Sequence, residues 1–509
     1  MAQKSGTRIA PVTESAALPP LVAAGSEYTN LAELISAHAD SRPDDVAVVE
    51  PGPERRTTTW SELNRQIDAV AAGLTAHGLV AGHRIGILGP NSIEFVVAYF
   101  AALRAGFVAV PINPLLGRTE VQQIIADSGL RVLLTPTDRE LKGVHHVSLT
   151  PDGLASLAAP NATPASSPKD REALAVLLYT AGTSGEPKAA MLTHRALLSH
   201  LAQVAQFGVI SSETVVLAML PLFHVFGLNA VLGGWALAGA RLVIMDGMDG
   251  FFEVVAAEQV TNVPLAPAVL SKIITDERCA DLARTVTTVI SGAAPLSEEL
   301  RADFVARTGL PVEQGYGLTE AAPGVSVTFG AVDHGSEHGY VGRPLPGVEV
   351  RIGDGTEETE PGEIWIRGEN LFSGYWPDGH GGPAEDGWFA TGDIGYLDDG
   401  GLFLVDRARE LIIVNGFNVY PAEVEGAIGE LAGVDSVAVV GRADPRTGEQ
   451  VVAFVTGEVT AEMIMDHCES RLAKFKRPAV VRVVEELPRG ATGKVQKGHL
   501  RHMLGELGV

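Results

Sequence analysis

Tyr179-Thr180-Ala181-Gly182-Thr183-Ser184-Gly185-Glu186-Pro187-Lys188 is the stretch that decides the reading of this chain. Leu174-Ala-Val-Leu-Leu178 runs into it as a short apolar segment with the length of a buried strand. Ala189 to His200 follows with apolar residues at helical spacing. Between them lie Gly182 and Gly185, small hydroxyls at Thr180, Thr183 and Ser184, and one cation, Lys188. Such a loop can turn its backbone N–H groups and hydroxyls toward an anion, because no bulky Cβ blocks the approach. An ordinary turn needs none of this chemistry; polyphosphate binding uses all of it.

Two other motifs are excluded. A Walker loop needs G-x-x-x-x-G-K-[ST], but Gly182 and Gly185 are too close together and Pro187 precedes the lysine. A G-x-S-x-G nucleophile elbow fails because Glu186 stands at its second glycine. The stretch resembles the phosphate loop of the acyl-adenylate-forming superfamily, which holds acyl- and aryl-CoA ligases, nonribosomal-peptide adenylation domains and luciferases. The usual form there is T-S-G-T-[ST]-G-x-P-K-G. Ala181 and Ala189 depart from it, replacing a serine and a glycine.

The chain has 509 residues, enough for several domains, with 46% hydrophobic and 20% charged residues as in ordinary globular proteins. A net charge of −24 argues against broad binding of nucleic acid or anionic membranes, which need a basic surface. Cys279 and Cys468 are the only cysteines and lie far apart, so no disulfide framework or thiolate metal site follows, and a cytoplasmic location is expected. Residues 1–26 are rich in Ala, Pro and Ser, read as a flexible arm, and lack a signal-peptide pattern. Met219–Ala240 is apolar, but Pro221, His224 and Asn229 make it a buried core segment rather than a membrane span.

Helical and strand patterns alternate from Leu31 onward: Ser61 to Gly78 as helix, Arg84–Leu88 as strand, Asn91–Ala105 as helix, Phe107–Pro111 as strand. Pro151–Asp170, with its prolines, reads as a linker, and a second α/β run covers about 174–330. Tyr340–Asp406 changes to short alternating stretches such as Val348–Ile352 and Glu363–Arg367, predicting a small antiparallel β-barrel or sheet. The expected fold is an α/β large domain over 27–406 with subdomains of about 27–170, 171–335 and 336–406. Its two helix-covered sheets and small β-barrel unit are followed by an α+β domain over 407–509, which the resemblance implies is mobile.

Further motifs stand in the superfamily's order from about residue 30 to the C-terminus. Pro221–Leu228 resembles the segment ending at the acyl pocket, where His224 would close on the bound carboxylate. Ser291-Gly-Ala-Ala-Pro-Leu296 resembles the strand end whose backbone (Ala293, Ala294, Pro295) lies against adenine. Gln314-Gly-Tyr-Gly-Leu-Thr-Glu320 resembles Y-G-x-T-E: Gln314, Gly315 and Gly317 frame it, Tyr316 would stack on adenine, Thr319 would bond phosphate, and Glu320 with Thr183 would hold Mg²⁺. Ala390-Thr-Gly-Asp393 supplies Asp393 for the ribose hydroxyls. Asp406–Ile412 resembles the domain junction, with Arg407 reaching ribose or phosphate and Arg409 as hinge. Gly416 and Phe417 open the mobile domain, and Lys494 in Pro488–Lys494 holds the catalytic position. His334, Glu337 and His338 read as a solvent loop rather than a metal site.

The resemblance implies an ATP-dependent acid–thiol ligase. A carboxylic acid attacks the α-phosphorus of ATP, giving acyl-AMP and pyrophosphate; rotation about Arg409 then exchanges Lys494 for Gly416 and Phe417, and the CoA thiol displaces AMP. Lys188 and the loop residues Thr180, Gly182, Thr183, Ser184 and Gly185 would hold phosphates. Lys474, Lys476 and Arg477 would dock the CoA phosphates, the plain alternative being a solvated helix end. An acyl carrier protein as acceptor is the alternative, as is a homologue that only binds nucleotide. Phe226, Ala230, Ala293, Gly315, Pro323 and Gly324 with His224 form the expected acid pocket, and their small size predicts a medium- or long-chain or bulky ring acid. A monomer and a homodimer are both compatible with this reading.

Overall fold

The computed structural model describes residues 28–506 apart from 138–140, 160–167, 181–187, 295, 330–338, 356–358, 408–411, 415–416, 420, 445–446, 470, 473 and 491–494. Among these residues the chain forms four sheets. One is six-stranded, in the order His145–Ser148, Val132–Thr135, Arg84–Leu88, Val108–Ile112, Leu174–Thr180, Lys188–Thr193. Its first five strands are parallel, and the last two form an antiparallel hairpin. Parallel strands covered on both faces read as unbroken apolar runs, which is how Val108–Ile112 reads.

The second sheet has nine strands. From Val46–Glu50 through Arg241–Ile244, Val215–Ala218, Asn262–Leu265 and Thr288–Ser291 to Val312–Gly317 they are parallel. Antiparallel strands close both edges: Arg56–Thr59 at one, Gly324–Val327 and Arg343–Pro344 at the other. Sheet membership therefore cuts across a division at residue 170. The strands at 46–59 join the later sheet, and the hairpin at 174–193 joins the earlier one.

The stretch after Tyr340 gives the small antiparallel unit as a four-stranded sheet, Glu349–Ile352, Gly362–Arg367, Phe389–Asp398 and Gly401–Arg407, with Tyr340 bridging to Phe403. The last sheet is the α+β unit: Phe417–Val419, Ile412–Val414, Gly448–Gly457 and Val434–Asp444 in order, with Val480–Val483 parallel to Gly448–Gly457. Its own core gathers Ile412, Val424, Ile428, Val439, Val451 and Ile464.

Helices form where caps and apolar spacing agree. Thr59 and Glu62 make a reciprocal capping box that starts Trp60–Ala76, whose Leu63, Ile67, Val70 and Leu74 are buried. Ser92 caps Ile93–Arg104, a helix buried all round. Trp60 stacks on Trp235 at 4.9 Å, tying the first of these helices to the segment after Phe226. Among the described residues no helix is long and apolar enough to cross a membrane. Cys279 and Cys468 are free, buried thiols.

Two expectations are corrected. Ala189–His200 is not one helix: Lys188–Thr193 is a strand, and the helix is His194–Ala205. Backbone pairing with Leu174–Thr180 overrides the local spacing, and Thr193 Oγ1, accepting the Ala196 N–H at 3.2 Å, sets the helix start. Pro151 does not open an irregular linker. It sits in the first turn of the helix Pro151–Leu157, capped by Thr150, where its missing N–H costs nothing.

Candidate active site

The hairpin sets Thr180 opposite Lys188, with Thr180 Oγ1 donating to the Lys188 carbonyl at 3.3 Å. The outer edge of Lys188–Thr193 is then covered by residues 373–376. Ser373 N–H donates to Met191 O at 3.0 Å, Met191 N–H to Gly374 O at 3.0 Å, and Trp376 N–H to Ala189 O at 2.9 Å. This extra ladder carries Tyr375 to the hairpin mouth. Lys188 Nζ lies 5.3 Å from the centre of the Tyr375 ring, a cation–π distance. The Tyr375 hydroxyl donates to Glu320 Oε1 at 2.5 Å. The Glu320 carbonyl also accepts the Phe372 N–H at 2.9 Å, so the turn Thr319–Ala321 is held from the same segment.

Val312–Gly317 brings in the next group. Gln314 exchanges bonds with Thr328: its N–H donates to Oγ1 at 2.8 Å and its carbonyl accepts the Thr328 N–H at 2.9 Å. Tyr316 donates to Asp393 Oδ2 at 2.7 Å. Asp393 is also the cross-strand partner of Arg407, and its N–H donates to Thr391 Oγ1 at 3.1 Å. Gly317 has a steric reason: a Cβ there would meet the Pro323 carbonyl oxygen at 2.0 Å. Gly315 has none of that kind, since a Cβ would find nothing nearer than Val327 Cγ1 at 3.8 Å.

Of the residues expected to form an acid pocket, Phe226 and Ala230 lie in a π-helical turn, Phe226–Gly233, a geometry that clusters at functional sites. His224 Nδ1 accepts the Phe226 N–H at 3.3 Å, and burial lowers the imidazole pKa, keeping the ring neutral. The Phe226 ring covers Gly292, where a Cβ would come within 2.8 Å of it. Next to Gly292, Ala293 is exposed and holds φ +68, a left-handed conformation costing an alanine roughly 1 kcal/mol; Ala294 is half-buried beside it. Asn229, fully buried, donates to the Ala322 carbonyl at 2.6 Å and so ties the π-turn to Pro323. A Cβ on Gly324 would meet His200 Nε2 at 2.7 Å. His200, Leu201, Val204, Ile210, Ala230 and Leu237 line a small apolar cavity of about 30 Å³ between the helix His194–Ala205 and this turn.

The remaining positions divide simply. Lys476 is ion-paired with Glu423 at 2.6 Å and Arg477 with Glu469 at 3.0 Å, while Lys474 is exposed. Arg407 and Phe417 are described in their backbone, ending Gly401–Arg407 and opening Phe417–Val419. Gly182, Thr183, Ser184, Gly185, Pro295, Arg409, Gly416 and Lys494 lie outside the described residues, as do His334, Glu337 and His338. Tyr375, Asn229 and His200 were not legible as site residues in the sequence. A glycine followed by two aromatics, Gly374-Tyr375-Trp376, is the signal that could have drawn attention to the first.

A hard divalent cation fits this donor set. Among the described residues no cluster of His, Cys, Asp or Glu forms a dedicated cage. One oriented carboxylate, Glu320, beside a lysine suits a cation that arrives on nucleotide phosphates and keeps most of its ligands from them.

The family model for AMP-binding enzymes matches residues 35–376, and that for the AMP-binding enzyme C-terminal domain matches 423–494. The chain is 35% identical to feruloyl-CoA synthase of an Amycolatopsis species over 88% of its length and 94% of the relative's. It is 34% identical to a long-chain-fatty-acid–CoA ligase of Mycobacterium tuberculosis, over 93% and 98%. The structure of ATP-bound MatB from Rhodopseudomonas palustris superimposes with a TM-score of 0.86 at 29% identity, covering 94% of this chain and 99% of that one. The apo form of the same enzyme, with the same coverage, gives 0.74. The chain therefore belongs to the AMP-binding enzyme family of the acyl-adenylate-forming superfamily, and is an AMP-forming acid–thiol ligase of the acyl-CoA synthetase kind.

Proposed function

We propose that this ligase activates an apolar carboxylic acid larger than acetate, a medium- or long-chain fatty acid or a bulky ring acid, and passes it to CoA. The carboxylate attacks the α-phosphorus of ATP; the bond to pyrophosphate breaks, and acyl-AMP forms. The CoA thiol then attacks the acyl carbon, AMP leaves, and a thioester results. The first step brings two anions together, so fixed cations and positioning account for most of the catalysis.

The observation that carries this reading is the meeting of Lys188 and Glu320 at Tyr375. Lys188 would hold the β- and γ-phosphates together with Thr183. Glu320 would hold Mg²⁺, which when bound offsets phosphate charge. Tyr316 would stack on adenine, Asp393 would accept the ribose hydroxyls, and Arg407 would reach the ribose or phosphate. Lys494 would clamp the carboxylate and α-phosphate, with His224 closing on the acid as a neutral imidazole. After rotation about Arg409, Gly416 and Phe417 would line the thiol path, with Lys474, Lys476 and Arg477 near the CoA phosphates. The better superposition on the ATP-bound than on the apo relative supports an arrangement suited to the first step. Ala189, one departure from the superfamily pattern, is buried in a strand and offers its carbonyl to the Trp376 N–H.

For the acid, support comes from relatives named for feruloyl and long-chain substrates. The naming of those relatives for CoA supports CoA over a carrier protein. Incubation with ATP, Mg²⁺, CoA and a panel of acids, read by mass spectrometry, tests the proposal. The expected products are acyl-CoA esters of apolar acids in preference to acetate. Turnover of acetate alone would overturn the substrate assignment.

A further inference from the structure

We propose that Tyr375 is a positioning residue for adenylation: it orients the cation-binding carboxylate of Glu320 and holds Lys188 apart from it, ready for phosphate. This rests on the nucleotide-site reading above. The two charged groups come from distant parts of the chain, Lys188 at the start of a strand and Glu320 in the turn after Val312–Gly317. They converge on one phenol. The hydroxyl occupies Glu320 Oε1, and among the described residues no other side chain bonds that carboxylate, which leaves the acceptor capacity of Oε2 for the cation of this proposal. The ring face takes the ammonium at 5.3 Å. Among the described residues no ion pair joins Lys188 to Glu320; such a pair would cancel the charges each needs for MgATP.

The phenol is itself firmly placed. Tyr375 bridges Ala190 across the covered strand edge, and its N–H donates to His380 O at 3.0 Å. Its ring packs edge-on against Phe372 at 5.1 Å and near His380 at 5.9 Å. A hydrogen-bonded partner behind a metal-binding carboxylate typically changes metal affinity by 10–100-fold when removed, roughly the size of effect open to this hydroxyl.

Two variants separate its two contacts. Tyr375→Phe keeps the ring and removes the donor; Tyr375→Leu removes both. Mn²⁺ binding to the full chain is titrated by electron paramagnetic resonance with a non-hydrolysable ATP analogue present. ATP binding is measured separately by calorimetry in EDTA. Tyr375→Phe is expected to weaken Mn²⁺ binding about tenfold and leave metal-free ATP binding unchanged. Tyr375→Leu is expected to weaken both, as Lys188 and Glu320 close into an ion pair. Thermal melting of each variant provides the folding control. Wild-type Mn²⁺ affinity in Tyr375→Phe overturns the proposal. Glu320→Gln keeps this distinct from the underlying reading: loss in Glu320→Gln without loss in Tyr375→Phe defeats only the role of Tyr375, whereas wild-type affinity in both defeats Glu320 as the cation residue.

Discussion

Tyr316 donates its phenolic hydrogen to Asp393 at 2.7 Å, and the two residues, 9% and 8% exposed, join the nine-stranded sheet to the small antiparallel one. The bond fixes both the ring proposed to stack on adenine and the carboxylate proposed to take the ribose. Tyr316→Phe keeps the ring and removes the donor. A hydrogen bond to a buried charge contributes about 1.5–3 kcal/mol, so the KM for ATP should rise by roughly tenfold or more with kcat much less affected. The ATP dependence of pyrophosphate exchange measures this. An unchanged KM would show that the pair is structural only.

Gly315 and Gly317 are two residues apart and should answer oppositely to substitution. A Cβ at Gly315 would make only ordinary contacts, while the Pro323 carbonyl excludes one at Gly317. Gly315→Val should fold with an unchanged melting temperature and an unchanged KM for ATP. It should lose roughly tenfold or more in kcat/KM for the bulkiest acid accepted, against little loss for a short one. Equal loss for both acids would remove Gly315 from the pocket wall.

Burial pushes His200 down to about 3 and His194 to about 4, the latter partly opposed by Asp170. The native state therefore refuses protons that the unfolded chain accepts below about 6.5. Stability is fully present above that value and falls as the pH drops from 6.5 toward the folded values. Between pH 7 and 5.5 each such group should cost about 1 kcal/mol. His200→Leu removes one of them, and Asn229 Nδ2 retains the Leu197 and Ala322 carbonyls as acceptors. Its melting temperature should fall less steeply over this range than that of the wild type. Parallel curves would contradict the assignment.

Much of this architecture is readable from local pattern. Arg84–Leu88 and Val108–Ile112 announce parallel strands, and the stretch before Lys188 announces a loop for phosphate. What escapes is long-range pairing. Lys188–Thr193 carries apolar residues at spacings that suit either a helix or a covered strand, and only its two neighbours decide. Tyr375 is invisible for the same reason: its value comes from a ladder to residues 189–191, far away in sequence. His200 reads as an ordinary helix residue until Gly324, from another sheet strand, is laid against it.

Pyrophosphate exchange into ATP, with and without acids, tests the central claim most directly, run beside thioester formation from supplied acyl-AMP. The wild type should exchange only when an apolar acid is present. Lys494→Ala should lose about a hundredfold or more of that exchange, because one clamp on a developing anion is gone, yet still form thioester from acyl-AMP. Absence of acid-dependent exchange by the wild type across the whole panel would contradict the account and leave a protein that only binds nucleotide.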